Sequence, residues 1–318
     1  MKAIVQNEYG SPDVFRQIET KRPNIKGHEV LVRVMAASIN AGDLFTMRGK
    51  PWMVRMTAGL PKPKNLIPGW DLSGVVEEVG TDVMHLSPGD QVYGACIRTM
   101  AEFAAAAEDK LAVKPERLSF EQAASIPTAA VTALKGLRDA GRLQPGQRVV
   151  INGASGGVGT FAVQIAKALG AHVTAVCSTR NLDLLKSLGA DEVVDYSCED
   201  FTRAGRRYDL ILDNAGNRHF SDMLHVLSPQ GRIVPNSGFG GMRYVFKSFL
   251  LAPFMRRLTN MYVSVPKARD LADLEEWIRD GKLHPVIDRT YAMKEAPEAF
   301  RYMDTEHARG KVVITVKE

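Results

Sequence analysis

The sequence predicts an α/β protein in two parts: a small, partly open β-barrel, and a doubly wound parallel sheet with helices on both faces. Three observations predict it. Up to about residue 120 the chain runs in short, Val-rich strands cut by Gly/Pro turns. Beyond that point strand and helix patterns alternate, and a glycine-rich turn joins the first strand to the first long helix. The 318 residues, 45% hydrophobic and 24% charged, have the composition and length of two ordinary globular domains at roughly 150 residues each. Disorder and collagen-like repeats are excluded.

The N-terminal MKAIVQ pattern is a short strand. Residues 29–36 (EVLVRVMA) alternate as a half-buried strand does, and a helical turn is expected near 43–47. Residues 72–79, 91–93 and 110–113 are further strands, separated by turns at Pro68-Gly69 and at 87–90 (SPGD). Residues 120–138 form an Ala-rich helix on both sides of Pro127. The alternating part follows: strand 147–151, helix 157–169, strand 172–177, helix 181–188 and strand 192–194. Strand 208–212, helix 220–227 and strand 231–235 complete it. The tail adds helix 271–280, strand 286–291, helix 294–303 and strand 311–316.

The net charge of +5 is spread along the chain, without the clustered basic face that nucleic acid requires. Cys96, Cys177 and Cys198 lie far apart and one must stay unpaired, which argues for a reducing compartment and against a disulfide framework. No run approaches the ~20 apolar residues of a membrane span, and the most apolar stretch, 249–255, is short and contains Pro253. A cytoplasmic location with no stable membrane insertion is expected.

The chemistry begins at the glycine turn. Strand RVVI runs into Asn152, Gly153, Ala154, Ser155, Gly156, Gly157, Val158 and Gly159, and an amphipathic helix follows at once. Glycines there let backbone N–H groups approach a pyrophosphate, and the helix N-terminus adds partial positive charge. Inside a βαβ unit this reads as a dinucleotide site, the alternative being a plain tight strand-to-helix turn. A site selecting NAD places an acid at the end of the second strand; here that strand ends in Cys177, Ser178, Thr179, Arg180 and Asn181. Two hydroxyls and a guanidinium suit an adenosine 2′-phosphate, so NADPH is the expected cofactor. The alternative is that Ser178 or Thr179 caps the next helix and Arg180 is solvated.

ASINAGD (37–43), IPGWDLSGVVEEVG (67–80), SPGDQVYG (87–94) and INGASGGVGTFAVQIAKALGA (151–171) follow one another along the chain. LGADEVVDY (188–196), PVIDRTY (285–291) and ARGKVVITV (308–316) continue the series. With these motifs the sequence resembles the zinc-independent quinone oxidoreductase branch of the medium-chain dehydrogenase/reductase superfamily over essentially its whole length. The resemblance implies a GroES-like β-barrel catalytic domain (1–122 and 266–318) with a Rossmann domain (123–265) inserted. It also implies cofactor and substrate in the cleft between them.

The positions of the superfamily's first two catalytic zinc ligands hold Asn40 and Trp70, and neither an amide nor an indole is a useful ligand. The seven histidines form no i, i+4 pair. No metal is expected, and hydride passes directly from the nicotinamide to a conjugated acceptor. Asn40 is the candidate catalytic residue, holding the nicotinamide ribose or orienting the acceptor carbonyl; Asp43 orders the loop. Phe45 and Trp52 stand near positions where relatives carry tyrosines, so no tyrosine acid is assigned and solvent supplies the proton. Phe45, Trp52, Trp70 and Phe239 are the candidate walls of the substrate pocket, or else core. By resemblance Thr128 lies near the nicotinamide or the phosphates, and Tyr196 flanks the adenosine. Gly216, Ser237 and Gly238 approach the cofactor through backbone, and Lys311 returns to it from the last strand or is an ordinary edge lysine.

The expected activity is reduction of quinones or α,β-unsaturated carbonyls; an enoyl-thioester reductase and a low-turnover redox sensor are the alternatives. A homodimer paired through 260–265 (NMYVSV) is a family-level expectation. Residues 238–258 are long for a connection and carry apolar residues at helical spacing. A lid over the cleft, a dimer wall, a membrane contact and plain core all fit.

Overall fold

The structure is a computed structural model that describes residues 1–64, 66–236, 240–253, 255, 257–259, 264–306 and 308–316, without the side chains of 241–243. The chain divides into two compact units, Met1–Val131 with Val265–Glu318, and Thr132–Ser264.

In chain order the first unit opens with β1 (Lys2–Gln6), β2 (Phe15–Glu19), β3 (Glu29–Ile39), α1 (Ala41–Arg48) and α2 (Val54–Ala58). It continues with β4 (Asp71–Val79), β5 (Gln91–Ala95), β6 (Phe103–Ala107), β7 (Leu111–Val113) and α3 (Phe120–Ala124); α4 (Pro127–Leu134) runs on to the second unit. There lie β8 (Arg148–Asn152), α5 (Gly157–Ala168), β9 (His172–Cys177), α6 (Leu182–Ser187) and β10 (Glu192–Asp195). β11 (Tyr208–Asp213), α7 (Phe220–His225), β12 (Leu227–Pro235) and α8 (Gly241–Leu251) complete it. The chain then returns to the first unit with α9 (Ala268–Arg279), β13 (Ile287–Ala292), α10 (Ala296–Thr305) and β14 (Lys311–Thr315).

The barrel sheet of the first unit runs β13-β14-β3-β4-β5-β7, with β6 also on β3. β3 alternates Val30, Val32 and Val34 into a core completed by Leu72, Met100, Phe300 and Ile314. Its long registers matter for the site: Ser38 pairs Asp71 across β3 and β4, and Val312 pairs Ile39 across β14 and β3. The second unit carries a fully parallel sheet of order β10-β9-β8-β11-β12. Order reverses between β8 and β11, so the loops after these two strands flank the switch point where doubly wound sheets bind ligands.

The single helix expected over 120–138 is broken. Pro127 lacks an N–H and its ring clashes with the preceding turn, so α3 stops at Ala124 and Pro127 starts α4. Residues Lys135–Ala140 then widen into a π-helical turn. Residues 120–128 stay with the barrel because the Ser73 hydroxyl donates to the Phe120 carbonyl at 2.6 Å and Asp71 takes both donors of Thr128. Strands β2 and β6 and helix α2 were not anticipated: β6 is FAAAA, whose alanines carry little strand propensity and which exists through its ladder with β3. Among the described residues no helix is long and apolar enough to cross a membrane.

Candidate active site

In the second unit the turn after β8 departs from the sheet at Gly153, whose φ of +74° favours glycine. The Ala154 N–H then donates to Val176 O on β9 at 3.0 Å, which ties the turn to the neighbouring strand. A Cβ at Gly159 would stand 2.3 Å from Gly153 O and 2.6 Å from the Ala154 backbone, so α5 packs directly on the turn. Gly156 differs. Its φ of −80° suits any residue, and an added Cβ would meet only Gly153 O, at an ordinary 3.7 Å. Nothing in the protein demands glycine there, whereas an anion approaching the backbone would. Ser155, Gly156, Gly157 and Val158 are partly exposed at the start of α5, whose first N–H groups have no intrahelical acceptor. These residues fit a dinucleotide pyrophosphate.

Beside the turn stands Asp213 at the end of β11, fully buried, which sequence reading missed. Its Oδ1 accepts from Asn152 Nδ2 at 2.8 Å and from the backbone N–H of Gly216 at 2.9 Å; its Oδ2 accepts from the Tyr244 hydroxyl at 2.5 Å. One carboxylate thus joins the strand before the glycine turn, the loop carrying Gly216 and the start of α8. Burial, together with that carboxylate, holds the Tyr244 phenol protonated far above its usual range.

At the adenosine end, Asn181 Nδ2 donates to Ser178 Oγ at 3.1 Å. The Thr179 hydroxyl donates to Asp195 Oδ2 at 2.5 Å, and Ser197 Oγ donates to the other Asp195 oxygen at 2.7 Å. These hydroxyls, Thr179 first, pull the Asp195 carboxyl below its usual range. Asp195 ends β10 in register with Cys177 at the end of β9 and engages Thr179, so of the residues expected to meet a 2′-phosphate the Thr179 hydroxyl is already taken, which leaves that role to Ser178 and Arg180. Arg180 is exposed and Tyr196, whose N–H donates to Cys177 O at 3.0 Å, is half-exposed.

In the first unit the backbone N–H of Asn40 is capped by Asp43 Oδ2 at 2.8 Å, which opens α1. The Asn40 side chain, 8% exposed, donates from Nδ2 to Asp71 Oδ2 at 3.0 Å and accepts at Oδ1 from Lys311 Nζ at 2.6 Å. Lys311 is 3% exposed and its ammonium lies 3.8 Å from Asp71 Oδ2. It is no edge lysine. Thr128 donates its hydroxyl to Asp71 Oδ1 at 2.6 Å. Burial lowers the Lys311 ammonium pKa against the opposing pull of Asp71 and Asp43. Burial also raises the Asp43 carboxyl to about 7, a rise that Asp71 adds to and the Asn40 N–H opposes.

Asn40, Thr128 and Lys311, distant in sequence, thus meet on Asp71, a residue sequence reading did not single out. Around them Trp70 lays its ring over Gly42, where a Cβ would be 2.6 Å from the indole. Trp52 is 62% exposed and Phe45 partly buried. Ser237, Gly238 and Phe239 lie outside the described residues, as do 260–263 of the expected dimer strand. In the 238–258 segment α8 buries Tyr244 and Ser248 and exposes Phe246, Phe249 and Leu250. The donors around Asn40 do not fit zinc: the amide oxygen is taken by an ammonium and Trp70 offers an indole. Among the described residues no three His, Cys, Asp or Glu side chains gather as ligands.

Residues 26–135 match the alcohol dehydrogenase GroES-like domain, and 188–314 match the family described as zinc-binding dehydrogenase. The mitochondrial NAD(P)H oxidoreductase RTN4IP1 of Mus musculus is 34% identical, over 99% of this chain and 89% of its own. The chloroplastic NADPH-dependent alkenal/one oxidoreductase of Arabidopsis thaliana is 32% identical, over 99% of this chain and 79% of its own. The structure of the quinone oxidoreductase from Coxiella burnetii superposes with a TM-score of 0.89 at 32% identity, covering 100% of this chain and 99% of that one. The barrel with its inserted doubly wound sheet, the glycine turn and these relatives agree: the chain belongs to the medium-chain dehydrogenase/reductase superfamily, in its quinone oxidoreductase branch, and is an oxidoreductase.

Proposed function

We propose that this protein is an NADPH-dependent reductase that passes hydride to quinones or α,β-unsaturated carbonyls without zinc, as a cytoplasmic homodimer. The observation that carries the reading is the Asn40 amide, held between Asp71 and Lys311 where a metal-dependent relative needs a ligand. Bound NADPH supplies the hydride. The part over 123–265 would hold it: Ser155 to Gly159 would offer backbone N–H groups to the pyrophosphate, Ser178 and Arg180 would bind the 2′-phosphate, and Tyr196 would flank the adenosine. The part over 1–122 and 266–318 does the rest. Asn40 offers an N–H to the acceptor oxygen, Lys311 places positive charge behind that amide, and Trp70 and Trp52 supply apolar surface for a planar acceptor. The proton that completes the product comes from solvent.

The test is NADPH oxidation with a quinone, an enal and an enoyl thioester, repeated with NADH and after exhaustive chelation. Turnover of quinone and enal that prefers NADPH and survives chelation is expected. Turnover of the thioester alone, or activity lost with bound zinc, refutes the reading.

A further inference from the structure

Asp71, fully buried at the start of β4, accepts from four side-chain and backbone donors in the heart of the barrel unit. Oδ1 takes the Thr128 hydroxyl at 2.6 Å and the Thr128 N–H at 3.2 Å, an N–H it shares with Oδ2 at 3.3 Å. Oδ2 takes Asn40 Nδ2 at 3.0 Å and the Ser38 hydroxyl at 3.3 Å. A carboxylate has about four lone-pair sites, so it is saturated, and being acceptor-only it forces the orientation of every partner.

This fixes the hydrogen-bonding roles of Thr128 and Asn40. Thr128 gives its proton to Asp71, so its oxygen can only accept from anything else. The Asn40 amide is held at both ends: an ammonium, which only donates, sits on Oδ1, and the carboxylate sits on Nδ2. Flipping it would set oxygen against carboxylate and NH₂ against ammonium. The second Nδ2 proton has no acceptor among the described residues.

We propose that Asp71, assisted by Lys311, is the positioning residue of this site: it fixes the Asn40 amide so that one N–H is offered to the acceptor oxygen, and it leaves the Thr128 hydroxyl able only to accept. The proposal rests on the reading that Asn40 meets the hydride acceptor.

The test exchanges the two groups. In Asn40→Asp a carboxylate faces Asp71 and like charges meet in a buried site, so the melting temperature falls by several degrees. In the double variant Asn40→Asp/Asp71→Asn the network closes again. The new amide at 71 turns its oxygen to Thr128 and gives its two NH₂ protons to the new carboxylate at 40, which still receives Lys311, and to the Ser38 hydroxyl, which rotates to accept. Stability returns by at least half of what was lost, but position 40 no longer has an N–H to offer. Turnover with the quinone or enal then stays at least about thirtyfold down, while the dissociation constant for NADPH, read by fluorescence, moves less than threefold. Asp71→Asn alone must serve Thr128 and Asn40 with one oxygen, and loses both turnover and stability. A double variant no more stable than Asn40→Asp overturns the orientation, and one that turns over like wild type overturns the positioning role. If wild type reduces none of the acceptors, the proposed function falls, and the thermal comparison still decides whether Asp71 and Lys311 set the amide.

Discussion

Replacing Gly156 and Gly159 one at a time by Ala separates what the glycine turn does for the protein from what it does for a ligand. At Gly159 the added Cβ would sit 2.3 Å from Gly153 O and 2.6 Å from the backbone of Ala154. Backbone cannot escape by changing rotamer, so α5 must lift off the turn. Overpacking of this kind costs about 1–3 kcal/mol, and the apo protein should melt at correspondingly lower temperature. At Gly156 the Cβ meets one atom at 3.7 Å with φ −80° and ψ 177°, conditions alanine accepts without strain. The unfolded chain loses freedom, worth about 0.4–1 kcal/mol in favour of folding. Alanine is a poorer N-cap than glycine by a comparable amount, so apo stability should stay within about 1 kcal/mol of wild type. Any further penalty must come from outside the protein. A methyl group on the face the turn offers to a pyrophosphate should raise the Kd for NADPH at least tenfold, about 1.4 kcal/mol. Thermal unfolding of the apo protein and fluorescence titration with NADPH read the two effects separately. A Gly156→Ala protein that binds NADPH as wild type does would refute the cradle, and a Gly159→Ala protein of unchanged stability would refute the packing.

Arg180→Ala should weaken NADPH binding by about 1–3 kcal/mol, the range for a hydrogen bond to a charged group, and leave NADH unaffected; equal losses by titration would make Arg180 structural. Burial raises the Asp43 carboxyl from 3.8 to about 7, so folding favours its protonated form. That contribution, at most ~4 kcal/mol, is complete below pH 3.8 and is lost as pH rises through 7. Thermal unfolding across this window should show wild type losing stability relative to Asp43→Asn, and parallel pH profiles would contradict the assignment. Phe246 and Phe249 are 65% and 53% exposed, so changing both to Ser should barely alter the melting temperature. A large thermal loss would mark the face as core.

The parts of the fold and site that sequence disclosed are those whose signal is local. The glycine turn lies within eight consecutive residues between a Val-rich strand and an apolar helix, and Asn40 stands in a motif of seven. The break at Pro127 is equally local, since its ring cannot continue a helix, even though the Ala-rich stretches on both sides read as one. What stayed hidden depends on register between strands far apart in the chain. Ser38 faces Asp71 because β3 and β4 pair in one particular alignment, and Lys311 reaches Asn40 because β14 pairs with β3. Asp195 reaches Thr179 because β10 ends level with β9. No spacing along the chain encodes these meetings.

A weaker signal was nevertheless present. Asp71 directly precedes the strand run LSGVV, and Asp213 directly follows LIL. Strands buried on both faces leave an acid at their ends little water, and an ionised carboxylate without water must collect hydrogen bonds or be neutralised. Each of these two collects four, from donors the chain brings together only on folding. Such a hub forces every donor into one orientation, and the donors here, Asn40 and Thr128 on one carboxylate and Asn152, Gly216 and Tyr244 on the other, are the groups or the immediate neighbours of the groups that would meet acceptor and cofactor. On the proposed reading, an acid at the end of an apolar strand and close to a candidate site residue is the residue to test for aiming the site, and it can be sought in a sequence before any fold is known.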